Sequence, residues 1–281
     1  MEIYQMDFHY HAGQERGART LREHLDHAAV TGRRLVGCTD HYGKYLPESK
    51  PSILPPVYER SMKGLADYRA EMDALKSVYP KMTLFFAPEI GPKTDFCAVG
   101  PEAVELSDYF ICEPPGVDGT AEEITDAMVK RLREAAAFSK SVSRPVYLAH
   151  PFRSSVNFRL VKNPIEPATT ALAYRENFRD YSMEAINAFF MFDTVRLGRE
   201  AAALGIPVEI NGETHNRIRA NNMAPVMGMM WAAYASMKDE GVCFVPGSDQ
   251  HGFETGKHGT YVPCDCFEAI GVKGKDIRFM R

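Results

Sequence analysis

Thr83-Leu84-Phe85-Phe86-Ala87-Pro88-Glu89 is apolar on consecutive positions and then stops at an acid. A strand with one wet face alternates apolar and polar residues, whereas a strand covered on both faces stays apolar throughout. The run therefore predicts a strand over 83–88, buried on both sides and ending in a group able to bind a cation. Similar β-like runs recur at 3–9, 35–39, 109–112, 146–150, 207–211 and 243–248.

Helical signals fall between these runs. Residues 20–30 open with Thr20 and Glu23 at capping-box spacing, where each side chain satisfies a backbone N–H of the first turn. Segments 57–79 and 121–139 carry apolar residues at helical intervals. Segment 194–204 follows Asp193, a suitable N-cap, and stops at Gly205, a suitable left-handed terminator. Segment 227–238 is rich in Met and Ala, and its Met229, Met230 and Trp231 read as core. Parallel strands need crossover connections, so strand–helix alternation along the chain implies a mainly parallel sheet. Seven strands with intervening helices fit a closed or distorted α/β barrel, taken as a single domain over 1–281. A doubly wound open sheet is the alternative, although no Gly-x-Gly-x-x-Gly turn follows the first strand. Segments 45–56, with four prolines, and 153–181 are expected as long loops over one face.

With 281 residues, 45% hydrophobic and 25% charged, the chain has the composition of a soluble globular protein with a sizeable core. A net charge of −4 lacks the basic excess that a nucleic-acid duplex partner would call for. No apolar run approaches the roughly 20 residues that span a bilayer. The N-terminal MEIYQMDFHYH has acidic and histidine residues where a secretion signal needs a basic start and an apolar centre. Cys38, Cys97, Cys112 and Cys243 lie in or beside apolar runs, where a thiol acts as a small hydrophobe. Cys264 and Cys266 form a C-x-C pair too isolated for a zinc site, which takes about four ligands. A cytoplasmic, reducing location is expected, with no membrane partner. The pattern says nothing about oligomeric state.

Five of the strand-like runs end at residues able to bind a metal: His9-x-His11, Thr39-Asp40-His41, Pro88-Glu89-Ile90, Ala149-His150-Pro151 and Ser248-Asp249-Gln250-His251. Residues i and i+2 of a strand point to one side, so His9 and His11 can meet one ion. Alone, such a pair is more often packed, hydrogen-bonded histidine. Five such endings differ from one, because active sites of parallel barrels gather at the C-terminal strand ends. Together they point to a shared polynuclear site. Imidazole with carboxylate suits Zn, Mn or Fe better than Ca or Mg, which prefer oxygen alone.

This order of motifs, from Asp7 to about His251, resembles the PHP family, named for polymerase and histidinol phosphatase domains. The resemblance implies a distorted (β/α)7 barrel that holds two or three divalent ions and hydrolyses phosphoesters. It implies that His9, His11 and Asp249 hold one ion, with Glu89 bridging to another. His41 and His251 would hold a second ion, and His150 with Glu89 a third. Glu15 stands where the family commonly has Asp or His shortly after the H-x-H pair. Glu113, in Glu113-Pro114-Pro115, stands where it usually has a further His. A carboxylate there shifts preference toward harder ions such as Mn or Fe; otherwise Glu113 is a solvated loop residue and the third site is empty. Asp249 and His251 are expected to be the catalytic residues of the set.

Arg153, three residues past His150, can offer a bidentate fork to a phosphate. Lys44 and Arg16 are further cations of the same rim, each equally an ordinary surface charge. Asn211, at the end of Glu209-Ile210-Asn211, is expected to orient substrate or a ligand. His215 reads as a loop histidine bonded to backbone, with an extra ligand or proton donor as the alternative. His24, His27 and His258 read as surface residues.

The expected activity is metal-dependent hydrolysis of a small phosphorylated metabolite, such as histidinol phosphate or a nucleotide, by metal-activated water. The absence of a Gly-x-Ser-x-Gly elbow or a Walker loop agrees with that. An amidohydrolase-type barrel acting on amides or lactones is a second possibility. Many of those enzymes bridge their ions with a carboxylated lysine, where this chain has Glu89. A degenerate, non-catalytic PHP barrel is the third, supported by Glu113 and Glu15.

Overall fold

The computed structural model describes residues 1–12, 20–42, 62–162, 177–251 and 262–280. Seven strands form one sheet: β1 Met6–His11, β2 Leu35–Tyr42, β3 Thr83–Ile90, β4 Phe110–Cys112, β5 Val146–Leu148, β6 Val208–Asn211 and β7 Phe244–Gly247. They pair in chain order and every pairing is parallel. The sheet then closes on itself. Tyr10 bridges Gln250 in parallel, and Asp249 N donates to His9 O at 2.7 Å. The result is a distorted (β/α)7 barrel; an open doubly wound sheet would leave β1 and β7 apart.

Parallel neighbours in chain order need a crossover between every pair, and helices supply it. They are α1 Leu21–Val30, α2 Met62–Leu75, α3 Pro101–Leu106 and α4 Ala121–Val142. Then α5 Arg153–Lys162, α6 Met183–Phe190 and α7 Thr194–Leu204 lie between β5 and β6. Helices α8 Gly212–Ala220 and α9 Ala224–Asp239 join β6 to β7, and α10 Cys264–Ala269 follows. The cap signals are used as the sequence suggests. Thr20 Oγ1 accepts from Glu23 N at 3.2 Å while Thr20 N donates to Glu23 Oε2 at 2.7 Å. Asp193 caps α7, which ends at Gly205 with φ 66°. Among the described residues no helix is long and apolar enough to cross a membrane.

Three expectations need correction. Segment 153–181 is not one long loop, because α5 starts at Arg153, immediately after His150-Pro151-Phe152. The polar Arg-Ser-Ser start hid a helix whose order comes from tertiary burial: Phe152 and Val156 are fully buried, and the Phe152 ring sits 4.5 Å from that of Phe190. His24 is not on the surface. It is 2% exposed, because α1 packs that face on β1, where the Tyr10 ring meets it edge-on at 5.9 Å. Cys97 and Cys243 are exposed, although all six cysteines are free, as expected. Segment 45–56, the start of the 57–79 helix and His258 lie outside the described residues.

Below the strand ends, aromatic side chains fill the barrel. Phe279 comes up from the C-terminal segment, with its ring centroid 5.3 Å from Phe8, 5.0 Å from Tyr109 and 5.3 Å from Tyr147. In this layer β1 breaks its register. Asp7 pairs with Val36 and Tyr10 with Cys38, so Phe8 and His9 together oppose the single residue Gly37. Two residues against one is a β-bulge, which bends a strand and re-aims its side chains.

Candidate metal centre

The parallel registers bring the strand-end residues side by side. His41 on β2 is directly paired with Glu89 on β3, and His11 on β1 pairs with Thr39, two residues before His41. The β7 end closes the ring next to β1, so Asp249 and His251 arrive beside His9 and His11. His150 and Asp249 both leave their strands with positive φ, 21° and 54°. Non-glycine residues hold such angles only where the surroundings over-determine them, and such positions concentrate at functional sites.

Three overlapping groups of side chains that could hold a metal ion result: His9, His11 and Asp249; His11, His41 and His251; and His9, Glu89 and His150. The Glu89 carboxylate is central. Its Oε2 lies 3.0 Å from His41 Nδ1, 3.2 Å from His11 Nε2 and 3.4 Å from His9 Nε2. Its Oε1 lies 3.0 Å from His150 Nε2. Asp249 Oδ1 is 3.4 Å from His11 Nε2, 3.7 Å from His9 Nε2 and 3.4 Å from His251 Nδ1. Nitrogen and oxygen ligands held about 2.1 Å from one ion stand roughly 3.0–3.4 Å apart. The observed separations are those of coordination-polyhedron edges, so the residues fit divalent ions. Glu113 joins at the margin, with Oε1 3.4 Å from His150 Nε2 and its side chain 13% exposed.

Electrostatics agree with this fit. Burial disfavours the ionised form of Glu89, but His9 and His41 outweigh it and hold the carboxyl well below its usual range. Asp249 is held low in the same way, against burial, by Arg153 and His9. Burial also opposes the charged form of His9, yet Glu209, Glu89 and Asp249 raise it well above its ordinary value. His150 is raised to about 9: burial and Arg153 pull it down, and hydrogen bonds to Glu113 and Glu89 prevail. His251 is pushed well down by burial and by His11. Glu113 is raised, by burial and then by the charge on Glu89. Two buried carboxylates kept ionised demand positive charge nearby, from protons on imidazoles or from cations.

Outer partners fix the ligands. Glu209 is fully buried; its Oε1 faces His9 Nδ1 at 2.9 Å and its Oε2 accepts His150 N–H at 2.8 Å. With Nδ1–H given to Glu209, His9 directs the Nε2 lone pair into the cluster, the usual role of a carboxylate behind a metal-bound histidine. Gly247 makes the approach possible, since a Cβ there would lie 2.0 Å from Glu209 Oε1 and 2.7 Å from His9 Cβ. Glu209 had not been singled out from the sequence. Its signal was there: positions 209 and 211 share a strand face, so Glu209 points where Asn211 points.

The remaining expected residues divide by position. Arg153 stands at the rim, 20% exposed, with Nη1 donating to Asp249 Oδ2 at 2.5 Å. Asn211 is fully buried and does not face open space. Its Oδ1 caps α8 by accepting Thr214 N–H at 2.8 Å, and its Nδ2 donates to Glu209 Oε2 and Asp249 Oδ2 at 3.1 and 3.3 Å. Its amide thus bonds the carboxylates of Glu209 and Asp249. His215 lies in α8, not in a loop, and both ring nitrogens are committed: Nδ1 to Asn211 O at 2.7 Å and Nε2 to Trp231 Nε1–H at 3.2 Å. Because the indole can only donate, His215 carries its proton on Nδ1. It is bonded to backbone, as preferred from the sequence. Glu15, Arg16 and Lys44 lie outside the described residues.

No family model and no curated protein sequence matches the chain. Among solved structures it is similar to a histidinol phosphate phosphatase from Lactococcus lactis, crystallised with zinc, L-histidinol and phosphate. That likeness has 13% identity and a TM-score of 0.41, and covers 87% of this chain and 97% of that one.

Proposed function

We propose that this protein is a metal-dependent phosphoesterase of the PHP type that releases phosphate from a small phosphorylated metabolite. The observation that carries the reading is the ring of imidazoles around Glu89 and Asp249, spaced as ligands and placed at the C-terminal ends of parallel strands. His9, His11 and Asp249 would hold one ion, His41 and His251 a second, and Glu89 and His150 a third, with Glu113 beside it. Zn, Mn or Fe suits so imidazole-rich a set. Bound there, such ions lower the pKa of a coordinated water toward neutrality and draw phosphate oxygens together.

The chain's own groups supply the rest. Glu209 and Asn211 hold the ligands in one orientation, so no reorganisation is needed when charge develops. Arg153 is anchored to Asp249 through one nitrogen, and among the described residues no other bond holds its guanidinium, which could offer its remaining N–H groups to a phosphate oxygen at the rim. Asp249 and His251 border the place where the reacting phosphate would lie. The bridging position is held by a carboxylate, Glu89, which favours this reading over a lysine-bridged amidohydrolase. Six free thiols suit a cytoplasmic, reducing compartment.

The test is phosphate release by protein loaded with Zn, Mn or Fe against a panel of phosphomonoesters, including histidinol phosphate and nucleotides. Wild type is expected to bind two or three equivalents of metal and turn over at least one substrate, and His9→Ala to lose both properties. Metal-loaded protein that releases no phosphate from any member would end the phosphoesterase reading.

A further inference from the structure

The β1 bulge has a visible cause on the far side of the barrel. The hydroxyls of Tyr109 and Tyr147 both donate to the Phe8 carbonyl oxygen, at 2.6 and 2.9 Å. Tyr109 immediately precedes β4 and Tyr147 lies in β5, across the closed sheet from β1, so both side chains cross the interior to reach it. In a regular strand a carbonyl lies in the sheet and bonds the adjacent strand. The Phe8 carbonyl instead meets two phenols inside the barrel, at the place where β1 carries its extra residue. Gly37, the residue opposite, leaves space for this knot: a Cβ there would lie 1.7 Å from Tyr109 Oη and 2.8 Å from Phe8 O.

The consequence reaches the metal ligands. Side chains alternate along a strand, and a one-residue slip sends every following side chain to the other face. Phe8 points inward, packed on Phe279, Tyr109 and Phe85. With regular alternation Tyr10 would point inward as well, and His9 and His11 would face the helices. In the bulged strand Tyr10 meets His24 of α1, and both histidines enter the cluster. Tyr109 and Tyr147 are fully buried, which raises both phenols and keeps them as donors.

We propose that Tyr109 and Tyr147 are positioning residues for His9 and His11: by holding the Phe8 carbonyl inward they maintain the bulge that turns both imidazoles into the cluster. The effect on ion binding rests on the metal-site reading above, whereas the effect on β1 does not. The experiment is the double variant Tyr109→Phe/Tyr147→Phe, which keeps both rings and removes both donors. Phe279→Leu, which loosens the same layer without touching the Phe8 carbonyl by a polar group, is the control. Zinc affinity is measured by competition with a chromophoric chelator, and crystal structures of the metal-free proteins are solved.

The double variant is expected to lose about 10–100-fold in zinc affinity, the range for deleting an outer-shell partner. Its metal-free structure should show β1 re-registered on β2 or His9 turned out of the cluster. Phe279→Leu should lower Tm and leave zinc affinity unchanged. Wild-type affinity in the double variant, an intact bulge with both imidazoles in place, or an equal affinity loss in Phe279→Leu would each overturn the proposal. If wild type itself binds no zinc, the metal-site reading fails, and the metal-free structures still decide the role of the tyrosines. Tyr147→Phe alone, lacking the longer of the two bonds, gives the same readouts should the double variant fail to fold.

Discussion

Glu209→Gln changes one carboxylate oxygen to an amide nitrogen, yet every partner of that carboxylate is a donor. Oε1 faces His9 Nδ1 at 2.9 Å, while Oε2 accepts from His150 N at 2.8 Å and Asn211 Nδ2 at 3.1 Å. Glutamine offers a single oxygen. Turned to keep His150 and Asn211, it aims its NH2 at His9 Nδ1. The imidazole then has to accept at Nδ1 and carry its proton on Nε2, the atom that faces His11 and Glu89. A protonated Nε2 cannot bind an ion. A hydrogen bond to a charged group contributes about 1.5–3 kcal/mol, which corresponds to roughly ten- to a hundredfold in affinity. The variant should therefore bind zinc that much more weakly, as measured by competition calorimetry. Nitrogen-15 NMR of the zinc-loaded proteins should show His9 protonated at Nδ1 and bound through Nε2 in wild type, and protonated at Nε2 in the variant. Unchanged zinc affinity with an unchanged His9 tautomer would refute the assignment of Glu209 as the group that orients His9.

Two further outcomes follow from the geometry. Glu113→Gln should remove one equivalent of bound metal and leave the rest, as read by elemental analysis after gel filtration; a wild-type count shows that Glu113 is not a ligand. His215 is buried in neutral form with its pKa lowered to about 4 by desolvation, whereas an unfolded histidine titrates near 6.5. The unfolded chain therefore takes up the proton first, so this contribution is full above pH 6.5 and is lost as pH falls toward about 4. His215→Gln can keep one donor and one acceptor without a titrating ring, so its Tm should fall less steeply across that window. Parallel Tm curves for the two proteins would show that His215 does not couple to folding.

How much could be read in advance differs by element. Helix α7 was legible to its ends because Asp193 and Gly205 act locally, through a cap bond and a left-handed terminator. The strands were legible as apolar runs, with boundaries shifted by up to three residues; β1 starts at Met6 and continues to His11, and β2 runs on to Tyr42. Helices α5 and α8 were missed for a different reason. Their first turns are polar, and what makes them helical is docking: Phe152 and Val156 enter the core, and Asn211 caps α8 while bonding two carboxylates. The convergence of His, Glu and Asp side chains was legible because strand ends converge in any parallel barrel. Glu209, Tyr109 and Tyr147 were not, since each acts on residues 59 or more positions away in the chain.

Sequence by itself determined the alternation of strands and helices, the parallel closed sheet it implies, and the type of chemistry gathered at its strand ends. Those follow from periodicity and capping, which are local, and from the few ways a parallel sheet can be covered. Tertiary structure alone decided which way His9 points. Strand alternation allows either face, and the choice is made by two phenols reaching across the barrel and one carboxylate behind the ring. Side chains brought together only by closure of the sheet leave no periodic trace in the chain.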